Sequence, residues 1–130
     1  MQILNNVVQT LMTQNNVLLA QYKQISKCNT VQISLNPLNR SSVDLVYNII
    51  THVQFQAERN NLLNKNDIHV ILDSNGGDAD AAYHIAKIID QNFSGTIKYI
   101  IPRFAKSAAT LLACGGNKIV MGETSEFGAA

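Results

Sequence analysis

Apolar residues recur along this chain in two periods, one helical and one alternating, and the switches between them mark out the elements. Ile3, Leu4, Val7, Val8, Leu11, Met12, Leu18, Leu19 and Tyr22 fall at helical spacing with Gln, Asn and Thr opposite. The segment 1–25 therefore reads as an amphipathic helix. Its stripe suits packing on a core or a sister subunit. A membrane-surface anchor is the other use of such a stripe, but anchors favour Lys and Arg on the polar face, and this one carries almost none.

After a connector at Ser26–Thr30, VQISL (Val31–Leu35) alternates and is rich in β-formers, so it reads as a strand. NPLNRSS supplies a turn and a helix cap, for which Ser42 is the better candidate because Asp44 falls early in the first turn. Val43, Val46, Ile49, Ile50 and Val53 mark the inner face of a helix reaching Asn60. A polar loop, Asn60–Asp67, leads to IHVILD (Ile68–Asp73), whose unbroken apolar run suits a strand covered on both faces. A helix over Asp78–Asn92 turns Ala82, Ile85, Ala86 and Ile89 inward. TIKYII (Thr96–Ile101) is a strand ended by Pro102, Ser107–Cys114 is a compact helix closed by Gly115 and Gly116, and KIVM (Lys118–Met121) is a short strand. Helices and strands alternate throughout, which predicts an α/β fold of β-α-β units with a mostly parallel sheet and right-handed crossovers.

Composition narrows the function classes. The chain has 130 residues, 46% hydrophobic and 15% charged, with a formal net charge of +1. That length fits one domain, and that charge is too balanced for a nucleic-acid footprint. The two cysteines, Cys28 and Cys114, form neither a metal-ligand spacing nor a disulfide framework. Cys114, inside an apolar helical pattern, reads as a small buried hydrophobe. No metal or organic cofactor is implied. No apolar run approaches the roughly 18 residues needed to span a bilayer, and no secretory signal pattern opens the chain. The expected setting is cytoplasmic.

Two junctions carry candidate chemistry. SNGGD (Ser74–Asp78) sits between a predicted strand and a predicted helix. Gly76 and Gly77 allow a sharp turn there and let another group approach the backbone N–H donors closely. The helix entrance adds a positive dipole end, so a developing oxyanion would be welcome. A plain glycine turn into a helix capped by Asp78 also accounts for the stretch. The third glycine of a dinucleotide fingerprint and the Gly-Lys-Ser/Thr of a phosphate loop are both missing. The second junction is Ser107, which opens SAATLLA among small neighbours that leave its hydroxyl uncovered. A serine there also serves as an ordinary N-cap. Taken together, the junctions offer what acyl transfer needs, a hydroxyl nucleophile and two N–H donors, on Gly77 and Ala108.

The strand–GG–helix unit followed by PRFAKSAATLLACGGNKIVMGETSEFG resembles the Clp-protease-like superfamily of serine peptidases, related in fold to the crotonases. It looks most like the branch containing signal peptide peptidase A and the serine dehydrogenase proteinases. The likeness spans roughly residues 31–128, making 31–130 a Clp/crotonase-like peptidase domain. It implies a serine endopeptidase of the Ser-Lys type acting on peptide or protein substrates, with Ser107 as nucleophile, Gly77 and Ala108 as oxyanion donors and Gly76 as the supporting loop. It implies a homo-oligomer as well. The segment after Met121 would border a groove in which an extended peptide lies like an added strand.

The pattern departs from this family at the base. His52, His69 and His84 all precede Ser107, whereas the Clp subunit's histidine follows its serine. In the favoured branch a lysine well downstream is the base. Lys118 is the lysine that follows Ser107 here, and it matches a position that is not catalytic in the family, while Lys106 should point away from Ser107. Asn75 also replaces the proline that precedes the family's paired glycines. Three arrangements fit: the lysine lies beyond this chain, a second chain completes the site, or the protein is a non-catalytic peptide-binding or assembly module. The 130 residues alone would then hydrolyse poorly. A crotonase-like thioester enzyme is a further alternative, but it would want carboxylate acid/base groups, and Asp78 and Asp80 suit a helix N-terminus better.

Overall fold

A computed structural model describes residues 17–128 of the chain. Residues 17–26 form a helix, α1. The elements that follow are β1 (Cys28–Ser34), α2 (Arg40–Arg59), β2 (Asn64–Asp73), α3 (Ala79–Asn92), β3 (Ile97–Ile101), β4 (Phe104–Lys106), α4 (Ala108–Cys114), β5 (Lys118–Met121) and β6 (Glu126–Gly128). The main sheet runs β1-β2-β3-β5 and every pairing in it is parallel. A second sheet pairs β4 with β6, also in parallel. This is the mixed α/β architecture expected. Most of the amphipathic segment 1–25 lies outside the described residues.

Strand order follows chain order, and that decides where the core sits. Right-handed crossovers between successive parallel neighbours all fall on one side of the sheet. Val31, Ile33, Ile68, Val70, Leu72, Ile97, Tyr99 and Ile101 turn to that side, where they bury against Val46 and Ile50 of α2, Ala82, Ile85 and Ile89 of α3, and Leu112 of α4. The opposite side is only half-buried along β2 and β3, so Ile68–Asp73 is not covered equally on both faces as its apolar run suggests. His69 faces that side, and its Nδ1 is hydrogen-bonded to the Tyr22 hydroxyl of α1 at 2.7 Å. Burial there, and next the positive charge of Lys98, push the His69 pKa below its ordinary value. The Cys28 thiol, shielded by burial and faced by Asp67, is pushed up to about 11.

Several boundaries differ from the sequence expectation. β1 begins at Cys28, inside the presumed connector, and β2 begins at Asn64, inside the presumed loop. Both polar extensions are held by the sheet ladder, which pairs Cys28 with Asn64. The α2 cap is Asn39. Its side chain accepts from the Ser42 N–H, and the Ser42 hydroxyl in turn accepts from the Asn39 N–H. Ser42 is thus the third residue of a reciprocal capping box. Cys114 is exposed, because it falls on the outer side of a helix only two turns long. The short strands β4 and β6 carry no periodic signal.

Candidate active site

The site is built where β2 leaves one strand and joins another. Along Ile68–Ile71, β2 pairs with β3. Beyond Asp73 it pairs with β4, as Ser74 bridges Ala105 in parallel. The Ser74 N–H donates to the Phe104 carbonyl at 3.2 Å, and the Lys106 N–H donates to the Ser74 carbonyl at 3.1 Å. Two residues beyond that bridge, Gly76 packs against Ser107 and the Ala108 nitrogen, and Gly77 bridges Leu38. The Asp73 carboxylate steadies the switch by taking both ends of the Arg103 guanidinium at 3.1 Å, and that guanidinium stacks on the Phe104 ring.

Glycine is required at the bend. Gly76 and Gly77 adopt φ of 106° and 145°, where an L side chain is strained. A Cβ on Gly76 would stand 2.6 Å from the Lys106 carbonyl oxygen, 2.8 Å from Ser107 Cβ and 3.0 Å from the Ala108 nitrogen. A Cβ on Gly77 would collide with the Leu38 backbone. The β1–α2 loop holds the bend from behind. The Leu38 N–H donates to the Gly76 carbonyl, and the Asp78 N–H donates to the Leu38 carbonyl, each at 2.8 Å.

Ser74, which the sequence reading passed over, organises the bend. It is fully buried; its hydroxyl donates to the Leu35 carbonyl at 2.6 Å and accepts the Gly76 N–H at 3.0 Å. A serine two residues before a glycine is a local turn signal that could have identified it. With the Gly76 N–H engaged, the Gly77 N–H has no hydrogen-bond partner among the described residues. The Ala108 N–H has none either, as befits the first residue of a helix.

Ser107 occupies the N-cap position of α4, yet its side chain makes no cap hydrogen bond. Its backbone stands at φ 54°, ψ −123°, a strained conformation for a residue with a side chain. Three backbone contacts hold it there. Its N–H donates to the Gly128 carbonyl at 2.9 Å, its carbonyl accepts the Thr110 N–H at 3.0 Å, and Gly76 packs against its Cβ. Ser107 and Gly77 are exposed, while Gly76 and Ala108 are buried. The Ser107 hydroxyl has no partner among the described residues. Lys106 Nζ lies 3.5 Å from the Glu126 carboxylate across the small sheet, and Lys118 opens β5. His69 is engaged with Tyr22. His84 lines a cleft of about 260 Å³ between α2 and α3, with Arg40, Asp44, Asp78 and Asp80.

Gly76, Ser107 and Ala108 thus meet, and Gly77 follows Gly76 in the same bend. The corner holds an exposed hydroxyl and two N–H groups without partners among the described residues.

Comparison with known proteins agrees with this architecture. A family model described as Clp protease matches residues 13–125. Among solved structures, the chain is similar to ClpP1 from Listeria monocytogenes, with 20% identity, a TM-score of 0.55, and 75% of this chain and 51% of that one covered. It is similar to a serine-to-alanine mutant of the 1510-N membrane-bound stomatin-specific protease, with 28% identity, a TM-score of 0.55, and 75% and 44% covered. The ClpP protease catalytic domain from Plasmodium falciparum shares 16% identity at a TM-score of 0.54, with 71% and 54% covered. The chain therefore spans about half the length of these structures. No curated protein sequence matches it.

Proposed function

This chain belongs to the Clp protease family, and from that premise we propose that it is a serine-peptidase domain cleaving peptide bonds through an acyl-enzyme. Ser107 Oγ attacks the peptide carbonyl carbon while a base takes its proton. The oxyanion that forms is held by the Gly77 and Ala108 N–H groups. Collapse breaks the C–N bond, the amine leaves with the proton, and water then releases the acyl group. The observation that carries this reading is the Ser74–Ala105 bridge, whose register sets the glycine bend against the Ser107 turn. The strained backbone of Ser107 supports it, because such conformations persist where function uses them.

The substrate is an extended peptide lying as an added strand along the groove bordered by Glu126–Gly128. The base is a lysine outside these 130 residues, since Lys106 is occupied by Glu126 and Lys118 belongs to the edge strand. We place the chain in the branch of signal peptide peptidase A and the serine dehydrogenase proteinases, from the motif around Ser107. The proposed setting is a cytoplasmic homo-oligomer, with the apolar stripe of segment 1–25 used in packing.

A serine-directed fluorophosphonate tests the reading. In the full-length protein it should label Ser107, and Ser107→Ala should abolish labelling. A folded protein that stays unlabelled would instead be a peptide-binding or assembly module of the same fold.

A further inference from the structure

The Thr110 hydroxyl sits where α4 meets β4 and β6. Its Oγ1 lies 2.9 Å from the Ala105 carbonyl of β4 and 2.9 Å from the Gly128 carbonyl of β6, and it accepts the Gly128 N–H at 3.2 Å. Its single proton serves one carbonyl at a time, so it joins α4 to both strands of the small sheet. The Gly128 carbonyl also receives the Ser107 N–H at 2.9 Å. Gly128 itself stands at φ 125°, and nothing among the described residues lies within 4 Å of where a Cβ would be.

We propose that Thr110 is a positioning residue that keeps Ser107 in its strained conformation by fixing the last residue of β6. This inference rests on the function proposed above. A residue held at positive φ relaxes unless its neighbours forbid it, at a cost of order 1–3 kcal/mol that the surroundings must supply. The Ser107 N–H has one acceptor, the Gly128 carbonyl, and the Thr110 hydroxyl reaches both polar backbone groups of Gly128. Without that hydroxyl, Gly128 keeps its ladder pairing opposite Lys106 but loses its tie to α4, and the acceptor of the Ser107 N–H is held less firmly. Ser107 can then rotate, and the Ala108 N–H turns with it. Valine keeps the shape of threonine and removes the hydroxyl; serine keeps the hydroxyl and removes the methyl group.

The test uses Thr110→Val and Thr110→Ser in the full-length protein. Fluorophosphonate labelling of Ser107 should slow about 10–100-fold in Thr110→Val, the scale expected when a reacting group is displaced by about an ångström. Labelling should return close to the parent rate in Thr110→Ser. Amide hydrogen exchange gives an independent readout: the Ser107 and Gly128 amides should exchange faster in Thr110→Val and recover in Thr110→Ser, while core amides of β2 and β3 keep their protection. If the parent protein is never labelled, the peptidase reading fails and exchange alone decides the role of Thr110. Unchanged exchange at Ser107 and Gly128 in a folded Thr110→Val protein overturns the proposal, as does parent-like labelling of that variant.

Discussion

Gly76 carries the residue-scale constraint that bears most directly on Ser107. Its φ of 106° disfavours any side chain, and an added methyl group would meet the Lys106 carbonyl, Ser107 Cβ and the Ala108 nitrogen together. Two of those neighbours are backbone atoms, which cannot swing aside as the end of a flexible side chain would. Gly76→Ala is therefore expected to cost about 2–6 kcal/mol, summing strain and overpacking. Urea unfolding would measure it. Labelling of Ser107 by a fluorophosphonate should fall even under conditions where the variant is fully folded, because the methyl group displaces the nucleophile's own Cβ. Parent-like labelling in the folded variant would contradict the placement of the bend against the serine turn. The paired glycines and Ser107 were legible in the sequence because each junction has an unusual local composition. Ser74 and Thr110 were less so, since what marks them is a partner 39 or 18 residues away in the chain, Leu35 for the one and Gly128 for the other.

Among the elements, α2 shows how a local signal can be read one register out. The sequence at its start, LNRSSVD, contains three residues suited to capping within four positions, Asn39, Ser41 and Ser42. The cap goes to Asn39, whose extended backbone and side-chain acceptor meet the Ser42 N–H at 3.1 Å. Leu38, the residue before it, is pinned on both sides by the glycine bend, which fixes where the helix can start. Asn39→Ala should lose about 1 kcal/mol, or a few degrees in Tm for a chain of this size, and Asn39→Asp should retain most of it. Scanning calorimetry separates the two. If Asn39→Ala melts with the parent while Ser42→Ala does not, the reciprocal capping box is misassigned. The short strands β4 and β6 could not have been read from pattern. Three residues are too few for a period, and both strands exist because Ser74, Arg103 and Thr110 offer their backbones partners.

At the scale of the whole molecule, consecutive strand order places α2, α3 and α4 on one side of the sheet and leaves the other to α1. That side carries His69, bonded to Tyr22 and flanked by Lys98 and Asp67. Burial lowers the His69 pKa, so the folded state favours the neutral ring and the unfolded state binds the proton more readily. Its contribution is present above the unfolded pKa of about 6.5 and is lost as pH falls through the lower folded value. Urea midpoints taken at pH 7.5 and pH 5 should therefore drop more for the parent than for His69→Gln. Equal drops would mean that protonating this ring does not weaken the fold. No helix among the described residues is long and apolar enough to cross a membrane.

What the chain determined by itself is everything that depends on neighbours close in sequence. Alternating and helical periods identified β1, α2, β2, α3, β3, α4 and β5, because burying one face of each element imposes its period on the residues. Small residues marked both junctions, because a tight backbone turn excludes side chains locally. Tertiary structure alone decided that β2 changes partners at Ser74, that the two junctions consequently meet, and that Gly128 returns to hold Ser107. Those are pairings between backbone groups far apart in the chain. Every residue but proline carries the same donor and acceptor, so side-chain pattern does not encode which of them find one another.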